Sequence, residues 1–271
     1  MHQTRQPAVA GTFYPGQATA LRHDITTLLA AAQADAGTTQ ALPKALIVPH
    51  AGYIYSGATA ALAYARLAPG RSTIRRVVLL GPVHRVPVRG LALPGVAAFA
   101  TPLGEIELDQ DAIATLAPLR QVVVSTAAHA QEHSLEVQLP FLQTVLDDFK
   151  LVPLAVGDAT PAEVAQVLAV LWGGPQTLIV ISSDLSHFLP YSAAQAVDNN
   201  TVQQILSLNS SLTHQQACGG TPVNGLLLAA RQHQLQPLLL GACNSGDTAG
   251  DKNRVVGYAS LAFMEYANVT H

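Results

Sequence analysis

Three apolar runs of this chain end alike, with a histidine or an aspartate just past the last aliphatic residue: ALIVPH at 45–50, VVLLGPVH at 77–84 and LIVISSDLSH at 178–187. Continuous Val/Ile/Leu runs of this length, bounded by Pro and Gly, mark strands buried on both faces of a sheet. In open α/β sheets, ligands bind in the crevice at the carboxyl ends of such strands. If the three strands are parallel neighbours, His50, His84, Asp184 and His187 arrive at one rim, where a metal or catalytic site would be built.

Around these runs, helical and extended patterns alternate. Helices are expected at 18–34, 56–67, 109–116, 132–147, 161–172, 192–207 and 213–232, and strands at 45–49, 77–81, 121–124, 151–156, 177–182, 236–241 and 254–263. Residues 82–104 read as a Pro/Gly-rich loop region, 33–44 as the most linker-like stretch, and VVGYASLAFM as a strand near a sheet edge. This order predicts one α/β domain over 1–271, with a central largely parallel or mixed sheet flanked by helices.

Composition removes several function classes. The chain is 49% hydrophobic and only 11% charged, against about 25% charged in ordinary domains. That balance suits a compact body with further surface available for burial in a homo-oligomer. A net charge of −3 without a basic stripe argues against nucleic-acid binding. No apolar run reaches the ~20 residues of a membrane span, and the N-terminus lacks the apolar core of a signal peptide. Two cysteines, Cys218 and Cys243, are too few for a disulfide framework, so a cytoplasmic protein with free thiols is expected.

The candidate residues each carry a plain structural alternative. His50, in PHAGYIYSG, caps a strand or binds a ligand; His84, between Pro82 and Pro87, is a loop histidine or one held stiffly for function. In SSDLSH, Asp184 and His187 share a face if they open a helix, where a carboxylate fixes the tautomer of an imidazole or joins it on a metal. Ser183 or Asp184 also suits a plain N-cap, and the two readings are compatible. His129, Glu132 and His133 spell H-x-x-E-H, the signature of one class of zinc peptidases, although no third ligand follows and Pro140 limits the helix. His133 also pairs with Glu136 at i, i+3. Cys243 reads as a small buried hydrophobe, whereas Cys218, beside Gly219 and Gly220, is left open by its surroundings.

Taken in order, RQPAVAGTFYPG, PHAGYIYSG, GPVHRVPV, TPLGEIELD, EHSLEVQLPFL, ISSDLSHF, ACGGTPVNGLL and VVGYASLAF resemble the Memo family, known in microbes as AmmeMemoRadiSam system protein B, almost from end to end. The resemblance implies a fold similar to class III extradiol dioxygenases. It also implies an iron or copper ion, with zinc as a further candidate, on two histidines and a cysteine: His50, His84 and Cys218. Asp184 and His187 fall on the family's other pocket residues and His133 in a matching segment that would line the same cavity; these three are the implied catalytic groups, while His129 lies outside the pattern. The ring-cleaving enzymes of that fold hold Fe(II) on two histidines and a carboxylate; a thiolate in its place is softer, so dioxygenase activity does not follow from fold. The resemblance thus implies a metal-dependent oxidoreductase acting on dioxygen or a small molecule. It further implies a pathway shared with radical-SAM and AMMECR-type proteins. The alternative is a binding module that takes a peptide or small molecule in the same pocket without turnover.

Overall fold

The computed structural model describes residues 3–35 and 42–265. Most of the linker-like stretch lies outside the described residues. The chain forms a single α/β unit built on a mixed sheet. Its centre is four parallel strands, β2 (Ala45–Val48), β9 (Thr177–Ser182), β3 (Arg76–Pro82) and β8 (Lys150–Val156), adjacent in that order. Beyond β8 lie β4 (Leu91–Leu93), antiparallel to it, and then β7 (Val122–Val124). Beyond β2 lies β12 (Val255–Met264), antiparallel, which also pairs with β11 (Gln236–Asn244) and the short β10 (His187–Leu189). A separate small sheet joins β1 (Thr4–Arg5), β5 (Ala98–Thr101) and β6 (Gly104–Glu107).

Residues along the central strands alternate between two apolar clusters. Leu46, Val48, Val77, Leu79 and Val180 face helices α1 (Ala18–Asp35), α2 (Tyr53–Tyr64) and α5 (Leu139–Val145). Ile47, Val78, Leu80, Ile179 and Ile181 face α6 (Pro161–Leu171), α7 (Tyr191–Leu206) and α8 (Gly220–Gln232). Both faces are covered, which is why the runs are uninterrupted rather than alternating; each fully buried aliphatic contributes about 1.5–3 kcal/mol. No helix among the described residues is long and apolar enough to cross a membrane.

Three expectations require correction. Residues 82–104 hold β4 and β5, strands of three and four residues too short to stand out beside Pro94 and Gly95. The helix expected at 132–147 is much shorter. A separate helix, α4 (Thr126–Ala130), capped by the Ser125 side chain accepting from Ala128 N–H, precedes that span; a loop and a 3-10 turn at Glu136–Gln138 then lead into α5, which Pro140 opens rather than ends. Residues 183–186 are not a first helical turn. Their amides are taken by distant groups instead: Asp184 by Cys218 Sγ, Leu185 by the Gly257 carbonyl and Ser186 by the Asp198 carboxylate. Elsewhere α8 begins at Gly220, later than the pattern implied, and α2 begins at Tyr53, earlier.

The N-terminal segment has little regular structure and is fastened by one carboxylate. Glu136, fully buried, accepts from the Arg5 guanidinium (2.5 Å), the Ala8 and Val9 amides (2.7 and 2.9 Å) and the Tyr14 hydroxyl (2.7 Å). Arg5 gives its other donors to the carbonyls of His129 (2.9 Å) and Glu132 (2.7 Å). A buried ion pair offsets its desolvation only when its remaining polar atoms are satisfied, as they are here. Glu136→Ala leaves the Arg5 charge buried and unpaired; the expected cost is about 3–5 kcal/mol. A urea midpoint equal to that of the unaltered protein would contradict it.

Candidate metal centre

The parallel strands deliver their terminal residues to one rim. β2 ends at Val48, β3 at Pro82 and β9 at Ser182, so His50, His84 and Asp184 each stand two residues past a strand end. Because β9 lies between β2 and β3, and Val48 pairs with Ser182, the three endings sit side by side. The fourth contributor comes from the loop after α4. Gly81 lets that loop approach: a Cβ there would meet Ser134 Oγ at 2.8 Å and Leu135 Cδ2 at 3.0 Å. His133 is thereby set against His84, with ring centroids 4.6 Å apart, and against His50 at 5.4 Å; His50 and His84 are 5.1 Å apart. One ring nitrogen from each of His50, His84 and His133 lies within 4.8 Å of the other two. The three form a group that can hold a metal ion.

Hydrogen bonding decides which nitrogens face the centre. His50, buried, donates its backbone N–H to Asp184 (2.7 Å) and sets Nδ1 2.9 Å from Ser182 Oγ. The Ser182 hydroxyl donates to the Ser134 carbonyl (2.6 Å) and accepts from the Gln138 amide (2.9 Å). Its only remaining role toward His50 is as acceptor, so Nδ1 carries the proton and Nε2 presents a lone pair. His84 has the same polarity: its Nδ1 lies 2.8 Å from Glu132 Oε1 and its backbone N–H 2.6 Å from Glu132 Oε2. These bonds hold the Glu132 acid down at about 2 although burial raises it. His133 Nδ1 is 3.3 Å from the same Oε1. Burial, reinforced by the neighbouring imidazoles, pushes His50 well below its ordinary range and His133 down to about 4. Both are therefore neutral near pH 7, the state in which imidazole binds a metal.

The remaining predicted residues surround this group. Cys218 Sγ lies 3.3 Å from His50 Nε2 and accepts the Asp184 amide at 3.3 Å; burial, with Asp184 adding to it, raises the thiol to about 12. Asp184 Oδ2 is 4.0 Å from His50 Nε2, and burial pushes the acid up to about 7 against the pull of its hydrogen bonds. His187 opens β10 and donates Nδ1–H to the Leu185 carbonyl (2.9 Å), which leaves Nε2 as its free acceptor. Phe13 packs on His133 with ring centroids 4.8 Å apart.

Two readings of the 129–136 segment do not hold. His129 is buried away from the group, with Nε2 2.7 Å from the Ala92 carbonyl and its ring edge-on to Phe99. α4 ends before Glu132, so His129 and His133 never share a helical face and the zinc-peptidase arrangement is absent. Glu136 faces Arg5 rather than acting with His133. Glu132 was the residue hidden by that spelling. Its only sequence signal was a carboxylate directly before a candidate histidine. Cys243 is free and contacts Thr59 Oγ1 at 3.1 Å.

Fold and site together define an α/β protein with an imidazole cluster at the carboxyl rim of a parallel sheet. Residues 5–262 match the model of the Memo-like protein family, and the chain belongs to that family. It is 35% identical to a MEMO1 family protein of Sulfurisphaera tokodaii over 96% of this chain and 99% of the relative. It is 34% identical to one of Aquifex aeolicus, covering 97% and 100% of the two chains. An uncharacterized Escherichia coli K12 protein of known structure aligns with a TM-score of 0.47 and 18% identity, over 80% of this chain and 98% of that one.

Gly219 is required by the approach of the Cys218 loop to β9, since a Cβ there would meet Ser183 Cβ at 2.7 Å and the Ser182 carbonyl at 2.9 Å. Gly219→Ala is expected to cost about 1–3 kcal/mol through this overlap, read as a lowered denaturation midpoint.

Proposed function

We propose that this chain is a metal-dependent redox protein that holds iron or copper on His50, His84 and His133, with Cys218 as a soft donor that joins them or takes the place of His133. The observation that carries the reading is the convergence of three imidazoles on one point. Imidazole suits iron, copper and zinc alike, and sulfur biases the set toward the softer ions. A bound iron or copper would supply one-electron exchange and Lewis acidity at positions the protein ligands leave open.

The surrounding residues suit proton handling. Asp184, with an acid raised to about 7, holds or releases a proton near neutral pH at the edge of His50. His187 offers Nε2 as acceptor, its ring fixed by the Leu185 carbonyl. A small-molecule substrate or dioxygen would be bound, oriented and protonated by these two side chains. A second reading is supported by the cavity of about 690 Å³ beside Phe13, lined by Tyr53, Ile54 and Tyr55, with Ile54 71% exposed. In that reading a ligand is bound without turnover, with this cavity, which none of the three imidazoles lines, adding apolar surface next to the Phe13 that packs on His133.

Elemental analysis of anaerobically purified protein tests the leading reading. The unaltered chain should carry about one ion, and His50→Ala and His84→Ala should each lose most of it. Loss in His133→Ala with retention in Cys218→Ser identifies a three-imidazole site; the reverse identifies a two-imidazole, one-thiolate site. Full metal content in every variant would overturn the assignment.

A further inference from the structure

Two of the three histidines, His84 by its ring and amide and His133 by its amide, are held by one side chain. Glu132, buried, meets four hydrogen-bond donors: Oε2 accepts the His84 amide (2.6 Å), while Oε1 accepts His84 Nδ1–H (2.8 Å) and the amides of His133 and Ser134 (both 2.9 Å). His133 Nδ1 stands 3.3 Å from that same Oε1. A carboxylate is the one side chain at this length with acceptors alone on both atoms. A glutamine has no satisfactory placement. With its oxygen at Oε1, its NH2 opposes the His84 amide; turned over, the NH2 faces the three donors at Oε1.

The backbone that carries Glu132 is itself tied down. Arg5 donates to the Glu132 carbonyl at 2.7 Å and to the His129 carbonyl at 2.9 Å, while the Glu136 carboxylate pins Arg5. The carboxylate therefore has little freedom to follow a ring that turns.

We propose that Glu132 is the positioning residue of the metal centre: by accepting Nδ1–H of His84 it selects that ring's tautomer and turns its Nε2 lone pair toward the ion, and by accepting the His133 backbone amide it holds the second imidazole beside the first. The inference rests on the metal reading given above. A carboxylate behind two metal ligands also offsets part of the charge of an ion that they would hold. The residue that completes the peptidase-like spelling thus serves to orient ligands, and not as a base acting on water.

Two measurements test it. In 15N-labelled, metal-free protein, two-bond proton–nitrogen correlations report ring tautomers directly; His84 should show the Nδ1–H form, and should lose that preference in Glu132→Gln. An Nε2–H form of His84 in the unaltered protein would overturn the proposal. Separately, Co(II) titration against a competing chelator should show about a ten- to hundredfold weaker affinity in Glu132→Gln, with a changed visible spectrum of the loaded protein. Glu136→Gln loosens the same segment without touching either ring and serves as the comparison. If Glu132 only braces the loop, the two variants lose affinity in proportion to their lost stability, and equal losses at matched stability overturn the positioning role. Failure of the unaltered protein to bind Co(II), iron or copper would instead defeat the metal reading, and the tautomer measurement would still decide the orientation of the His84 ring.

Discussion

The hydrogen-bonded register of β2, β9 and β3 determines where every functional group of this protein arrives. Parallel strands end at the same rim, and pairing of Val48 with Ser182 keeps the ends level. A parallel ladder shifted by one residue would turn each strand's buried set onto the opposite face, and both faces are already committed to distinct apolar clusters. Packing on two sides therefore pins the register, and the register places His50, His84 and Asp184 side by side. The site inherits its geometry from the core rather than from the loops that carry it.

What the sheet cannot supply is the third imidazole, which comes from a segment without regular structure. That segment is held by charge. Glu136 gathers Arg5, two backbone amides and a tyrosine hydroxyl, and Arg5 in turn holds the carbonyls of His129 and Glu132, just ahead of His133. Two stretches of the family pattern that are distant in sequence, RQPAVAGTFYPG and EHSLEVQLPFL, are thus halves of one buried polar unit. The ionic interaction takes the role that apolar packing plays at the sheet: it makes an irregular loop occupy one position.

The strands and the rim could be read from residues alone, because strands buried on both faces are written as unbroken aliphatic runs and their endings show where the sheet stops. The same logic failed between 126 and 147. Apolar residues there recur at helical spacing, but the break after Ala130 is made by Arg5 and by Glu132 turning toward His84, contacts between residues far apart in the chain. Asp184 and His187 were misplaced on a helix for the same reason, since their amides find partners at Cys218, Gly257 and Asp198 rather than one turn away. Cys218 had no local signal at all. Family resemblance pointed to it, and its position 3.3 Å from His50 Nε2 depends on folding across 168 residues of sequence.

The position of β9 between β2 and β3 has a consequence for how such a centre matures. All three imidazoles precede β9 in the chain, yet the strand that separates their carriers, and whose Ser182 fixes the tautomer of His50, is made later. An amino-terminal fragment ending before β9 contains every histidine of the group and none of the spacing that makes them a group. An ion is therefore not available as a template for early folding in the way it is for a zinc finger. The sheet would have to close before any ion that such a group could hold were loaded.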